Sequence, residues 1–354
     1  MIRTLALGAA ALAAAPAFAQ SSVSITGIAD AAARQVSNTG LGSIKSLVSG
    51  SNSTSRLVFR GTEDLGGGLT ASFHLEHGIA LDTGLPTGGF WDRRSTVSVA
   101  HRNAGELRLG RDFVPSYTGW SRFDPFSYVG VAGSNNLVSA TPNGPIRSAF
   151  GSNPNTTVRA SNAVQYLLPS GLAGVEGGVL VAASEGGTAA NGQHKTIGAR
   201  IGWAGAGAVV SLATTTTENN LTSTGKFKDT AVGASYAFEF LRLSAAWRRF
   251  EQAGSEQTNT LLAFSVPLGV HEIKGSFVRA AFGGSVGATA LDANGIDQVG
   301  LGYVYNLSKR SALYASYARL ANDGAVASTI PGGPAGMAAG GTSTGFEAGI
   351  RHSF

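Results

Sequence analysis

The chain has 354 residues, 50 of them glycine, with 43% apolar and 13% charged residues, no cysteine and a formal net charge of +5. A disordered chain needs low hydrophobicity and high charge density, and a disulfide scaffold or cysteine-ligated metal domain needs thiols, so these classes are excluded. The glycines keep no period of three, which excludes a collagen-like repeat, and despite a pI near 9.6 the basic residues are mostly single arginines scattered through apolar stretches, not a patch for nucleic acid.

In chain order, Arg3 is followed by an apolar run from Leu5 to Ala15, then Pro16 and Ala17-Phe18-Ala19. A charged start, a short apolar stretch and small residues at its end predict a signal peptide cleaved after Ala19, with 20–354 as one mature domain. The run is shorter than the ~20 residues of a spanning helix. Beyond it, glycine, serine, threonine or a charge interrupts every apolar stretch before ~18 residues, so export without a membrane helix is expected.

From residue 20 onward, alternation at period two dominates. Leu57 and Phe59 oppose Arg56 and Arg60, while Leu69, Ala71, Phe73 and Leu75 oppose Thr70, Ser72, His74 and Glu76. Leu107 and Leu109 oppose Glu106 and Arg108, and Phe346, Ala348 and Ile350 oppose Glu347, Gly349 and Arg351. Such a split is the period of a strand with two unlike faces. Sixteen strands are predicted, near 22–31, 54–64, 69–79, 93–101, 105–112, 160–168, 172–182, 195–203, 206–216, 226–238, 239–249, 257–266, 270–280, 295–306, 311–321 and 345–354.

Tight turns such as 64–68, 103–105, 169–171, 205–207 and 267–269 follow even strands, and longer Gly/Ser/Thr/Asn-rich loops follow odd ones. This rhythm is that of an antiparallel barrel crossing an outer membrane, with short turns at one rim and loops at the other. Hydrocarbon offers backbone groups no water, so a spanning sheet must close on itself. The competing all-β reading is a secreted β-sandwich adhesin or lectin, which buries its apolar face. Alternation alone does not say which face is inside; the even count and paired loop lengths favour the barrel.

Several stretches resemble the general porins of betaproteobacterial outer membranes, most closely their anion-selective members. They are 21–30, 55–69, 93–99 with 105–112, 303–314 and 349–354; the most specific is 55–69, reading SRLVFRGTEDLGGGL. The resemblance implies an all-β transmembrane barrel of sixteen strands in a Gram-negative outer membrane, assembled as a homotrimer. Each barrel would hold a water-filled pore narrowed by a long third loop, residues 113–157, folded inward. Implied partners are outer-membrane lipid and lipopolysaccharide, the barrel-assembly machinery and small anionic solutes, with no cofactor.

A pore of molecular width discriminates by charge, because fixed charges between low-dielectric walls focus the field. Carried over from the resemblance, the basic cluster is Arg56, Arg93 and Arg159, with Glu76 as the acidic counterpart that orients an arginine. Alternation puts Arg56, Arg60, Arg159 and Glu76 on the lumen face. Arg93 shares the parity of Val97 and Val99, and reaches the lumen only where the chain is still loop or bulged. Arg60, Arg94, Arg108 and Asp124 complete the selectivity set. Phe123-Asp124-Pro125-Phe126 is a weak substitute for the acidic loop motif of enterobacterial porins. Phe354, a terminal aromatic after alternating apolar residues, resembles the signal read during outer-membrane assembly.

Catalytic and metal motifs do not hold together. Gly341-Thr342-Ser343-Thr344-Gly345 matches G-x-S-x-G but lies in a glycine-rich loop before a strand, not on a strand-to-helix elbow. On a strand His77 points away from His74 and Glu76, and His271-Glu272 lacks the second histidine of a zincin. The expected function is a passive channel for small hydrophilic solutes that prefers anions, with a substrate-specific channel as the alternative within transport. No enzyme and no metal site is expected.

Overall fold

The computed structural model describes residues 22–138, 143–184, 195–218 and 225–354. The predicted cleavage site at Ala19 lies outside the described residues.

The chain opens with β1 (Ser22–Asn38) and β2 (Gly42–Ser49), followed by β3 (Arg56–Gly66) and β4 (Leu69–Ala80). A two-residue β5 (Leu85–Pro86) precedes β6 (Arg94–His101) and β7 (Gly105–Phe113). A long insertion with α1 (Pro115–Ser121) and α2 (Gly144–Phe150) leads to β8 (Arg159–Leu167) and β9 (Val175–Ala182). Then come β10 (Lys195–Gly205), β11 (Ala208–Glu218), β12 (Phe227–Ala237), β13 (Arg242–Gln252), β14 (Ser255–Leu268) and β15 (His271–Val286). After a two-residue β16 (Thr289–Ala290), β17 (Gly295–Asn306), β18 (Ser311–Asp323) and β19 (Thr342–Ser353) complete the chain.

β2 and β3 are two halves of one stave. β2 pairs with the upper part of β1, Ala31↔Ser49 through Asn38↔Gly42, and β3 with its lower part, Ser22↔Thr62 through Ile28↔Arg56. With the two-residue strands set aside as loop ladders, sixteen antiparallel staves remain. The sheet closes where β1 pairs β19 from Ile28↔Ser353 to Asn38↔Ser343. Closure leaves no edge strand, which satisfies the backbone in an apolar surrounding.

The predicted strands coincide with these staves, with two corrections at the start. β1 continues to Asn38 where 22–31 was expected, and β2 was read as loop. Beyond Ala31, β1 carries only Val36 as a large apolar residue, and in β2 Ile44, Leu47 and Val48 do not keep a period of two, so alternation is faint. The break between β2 and β3 has a local cause: the Asp30 carboxylate accepts the backbone N–H groups of Ser51 (3.2 Å), Asn52 (3.0 Å) and Ser53 (2.7 Å). It thereby folds 50–55 into a tight inward loop, and the Tyr314 hydroxyl donates to the same carboxylate.

The open question of which face is inside is settled by exposure. On β6, Val97 and Val99 are 54% and 46% exposed while Thr96 and Ser98 are 5% exposed. The same inversion holds at Leu107 and Leu109, Ile197 and Ile201, and Phe346 and Ile350, all outward and exposed. Leaving a Val or Leu side chain in water forgoes ~1.5–3 kcal/mol each. A belt of them is stable only against lipid, which rules out the sandwich reading.

The 114–158 insertion carries its own core, with Trp120, Phe123, Val131, Leu137, Ile146 and Phe150 buried. It packs on the polar face of the wall, where Gln257 Nε2 donates to the Leu137 carbonyl (2.8 Å) and Gln298 Nε2 to that of Ala132 (3.0 Å). Lys274 Nζ donates to the Pro125 carbonyl (3.0 Å), and the Val131 N–H to Glu347 Oε1 (3.1 Å). Strand glycines make room: a Cβ on Gly233 would run into the Phe123 ring, and one on Gly300 would sit 2.7 Å from Ala132 Cβ. Prolines at the first turns of α1 and α2, where an N–H is unpaired anyway, start both short helices.

Candidate functional site

The pore-facing arginines sort into two groups, one above the other. In the upper group, Arg56 opens β3, Arg159 opens β8, and Arg93 stands one residue before β6, all at the loop end of their staves. Because Arg93 precedes the strand, it escapes the parity that would turn it outward. Its backbone N–H donates to the Glu76 carbonyl (3.3 Å) and its Nε to Glu76 Oε1 (2.6 Å). Arg56 Nε lies 3.8 Å from the same oxygen, and His74 Nε2 contacts the other at 3.3 Å. Glu76 thus contacts two arginines, its side chain on the same face of β4 as His74.

Arg159 has no carboxylate partner among the described residues. Its guanidinium lies over the Phe113 ring, 4.6 Å from the centroid, a contact that satisfies a cation without neutralising it. Phe113 in turn stacks on Tyr117 of α1 at 4.9 Å. The three arginines line one cavity of about 480 Å³, closed by Tyr117, Ser53, Thr54 and the Asn153–Asn155 stretch. Among the described residues no acidic side chain lines it. Loop 50–55 and the insertion both contribute walls to this cavity.

Arg94 and Arg108 gather instead around Asp112: Arg94 opens β6 opposite Glu76, at the loop end, and Arg108 lies deeper, opposite Ser98. Both contact Asp112 Oδ2, from Arg94 Nε at 3.4 Å and Arg108 Nη1 at 2.8 Å, and Arg108 Nε also donates to Glu106 (2.8 Å). Arg60 stands on the row of His74 and Thr96, between the rows of Arg94 and Arg108, exposed and without a hydrogen bond or ion pair among the described residues. Asp124 is 5% exposed, and its carboxylate accepts from Phe126 N (2.9 Å), Ser134 N (2.9 Å) and Ser134 Oγ (2.6 Å). It knots the insertion from within and does not line the passage, so its expected place in the selectivity set does not fit its contacts.

His77 faces the other side of β4, stacked on Phe90 at 4.6 Å. Residues that sequence reasoning passed over include Asp112, Tyr117, Glu176 and Arg200. A β-bulge at Gly110/Asp112 turns Asp112 inward, and Tyr117 belongs to a helix inside a segment read as loop. At the last residue, Phe354 exchanges backbone hydrogen bonds with Gly27 (3.0 and 3.1 Å), sealing the barrel seam.

A closed sixteen-stave barrel with an apolar belt outside and a polar, arginine-bearing face inside defines a transmembrane channel protein. Residues 6–325 match the family of Gram-negative porins. The chain is 35% identical to outer membrane porin protein 32 of Delftia acidovorans, over 96% of this chain and 95% of that protein. It also resembles an outer membrane porin of Bordetella pertussis, 26% identical over 77% of this chain and 79% of that protein. Among solved structures, the anion-selective porin from Comamonas acidovorans superposes with a TM-score of 0.77 at 33% identity, covering 95% of this chain and 100% of that one. The chain belongs to the Gram-negative porins, and it is an outer-membrane channel protein.

Proposed function

We propose that this porin is an anion-selective pore for small hydrophilic solutes, with selectivity set where Arg56, Arg93 and Arg159 meet. The observation that carries this reading is the charge balance there. Three guanidinium groups line one cavity without an acid among them, and Glu76 answers two of them from behind. Between low-dielectric walls such an excess enriches anions and repels cations. The similar anion-selective porin from Comamonas acidovorans supports the same sign.

The reading extends to a homotrimer in outer-membrane lipid and lipopolysaccharide, exported by a signal peptide cleaved after Ala19, with Phe354 read by the assembly machinery. Compact migration in SDS electrophoresis until heating, and a mature chain beginning at Gln20 by mass, check the first parts. Selectivity is tested by the zero-current potential in a planar bilayer under a potassium chloride gradient. The expected sign is that of chloride permeation, and Arg56→Ala combined with Arg159→Ala reduces it. A cation-selective potential, or one unmoved by the double substitution, refutes the assignment.

A further inference from the structure

Below the upper cluster a second cavity of about 210 Å³ opens between α1 and the wall, lined by Arg94, Arg108, Arg200 and Gln165. Phe113 belongs to the walls of both cavities and forms the partition between them. The register fixes the order of descent. Arg60 is four residues from Arg56 along β3, about 13 Å at strand rise, and it pairs across with His74, which pairs with Thr96. Two residues further along these staves come Ser98, Arg108 and Gln165 in one row, and Arg200 follows opposite Gly178 in the next.

The lower cavity presents donors. Arg94 spends Nε on Asp112 and Thr96, leaving its two terminal nitrogens. Arg108 spends Nε and Nη1 on Glu106 and Asp112, leaving Nη2. Arg200 spends Nη1 on Glu176, which it shares with Arg122 of the insertion. Gln165 is 6% exposed, and its carboxamide makes no hydrogen bond among the described residues. Donors converging on a small space next to an apolar partition suit a small oxyanion, a carboxylate or phosphate, bound by planar guanidinium groups.

We propose that this cavity is a second anion station, taking a small oxyanion between Arg94, Arg108 and Arg200, with the unpaired Arg60 on the row between those of Arg94 and Arg108. The inference rests on the anion-selective reading above and adds a site to it. Its charge explains why release is possible. Asp112 lines the lower cavity and Glu106 and Glu176 engage its arginines, so the attraction is weaker than above, where no acid lines the wall. Conduction needs sites that bind firmly enough to admit an ion and weakly enough to lose it, and two occupied stations repel each other. Arg60 adds an unpaired positive charge beside the lower station and acts on both Arg56 and Arg94.

The test is block of chloride current by inorganic phosphate added on the side of the tight turns. Saturable block is expected in the wild type. Arg200→Lys keeps the charge but loses the planar fork, and Gln165→Leu changes no charge at all. Each raises the half-blocking concentration roughly tenfold, the size of one charge-assisted hydrogen bond. Block from this side persists in Arg56→Ala with Arg159→Ala. If block is unchanged in both lower-cavity variants and vanishes in the upper-cluster variant, there is one station and the proposal falls. A wild-type channel without anion preference instead overturns the underlying reading, and the proposal with it, at the first measurement.

Discussion

Replacing Glu76 by glutamine isolates the electrostatic part of the selectivity argument. The carboxamide oxygen can still accept from Arg93, so the guanidinium keeps its anchor while one negative charge leaves. Glu76 Oε1 is 2.6 Å from Arg93 Nε and 3.8 Å from Arg56 Nε, and an ion in the cavity sits on the far side of these groups, about 7 Å from the lost charge once ~3 Å of contact is added. At an effective dielectric constant of about 40–80, a unit charge at that distance acts with about 0.6–1.2 kcal/mol. Screening with a Debye length of ~10 Å roughly halves this at 0.1 M salt. Anion and cation feel it with opposite sign, so their difference recovers about 0.6–1.2 kcal/mol, a rise in the anion-to-cation permeability ratio of roughly three- to eightfold. The assay is the zero-current potential at 0.1 M salt, repeated at 1 M, where the shift shrinks. A ratio that stays level or falls would show that Glu76 does not temper the field at the constriction.

Three other outcomes follow from the packing. Arg248 and Asp229 are both buried, paired at 2.7 and 2.9 Å, and tie both ends of the insertion through the Thr157 carbonyl and Ser116 Oγ; Arg248→Met strands the aspartate and costs about 3–5 kcal/mol, read as a lower urea midpoint of the folded barrel. Gly233→Leu drives a side chain into the place of the Phe123 ring, so single channels should show larger and noisier conductance than wild type. Deleting Phe354 removes its backbone bonds to Gly27 and the proposed assembly signal. Folded yield in cells should drop, while refolding in detergent stays close to wild type; equal losses in both would reduce the residue to a structural role.

The staves were readable because a stave is a local object: its faces alternate within ten residues, and a turn such as Gly66-Gly67-Gly68, all at positive φ, announces itself. The pairing of Arg56 with Glu76 could be expected for the same reason, since both lie on neighbouring staves with lumen parity. Arg93 shows the limit of that rule, because parity applies inside a strand and Arg93 sits just outside one. Asp124 shows another, since a carboxylate in a long insertion can serve the insertion itself, and only the positions of Phe126 and Ser134 show that it does. Arg200 carried no signal, being one lumen arginine among several until α1 came to lie opposite it.

Composition and period by themselves determined that this chain forms some sixteen strands with unlike faces joined by alternating short and long connections, because strand alternation and turn chemistry act between near neighbours. Tertiary structure alone decided which face meets lipid, how the insertion is seated on Gln257, Lys274, Gln298 and Glu347, and which arginines share a cavity. Those outcomes depend on groups brought together from up to some three hundred residues apart, such as Arg34 and Glu347 at 2.7 Å, and no local pattern in the chain records a distance that exists only after the barrel closes.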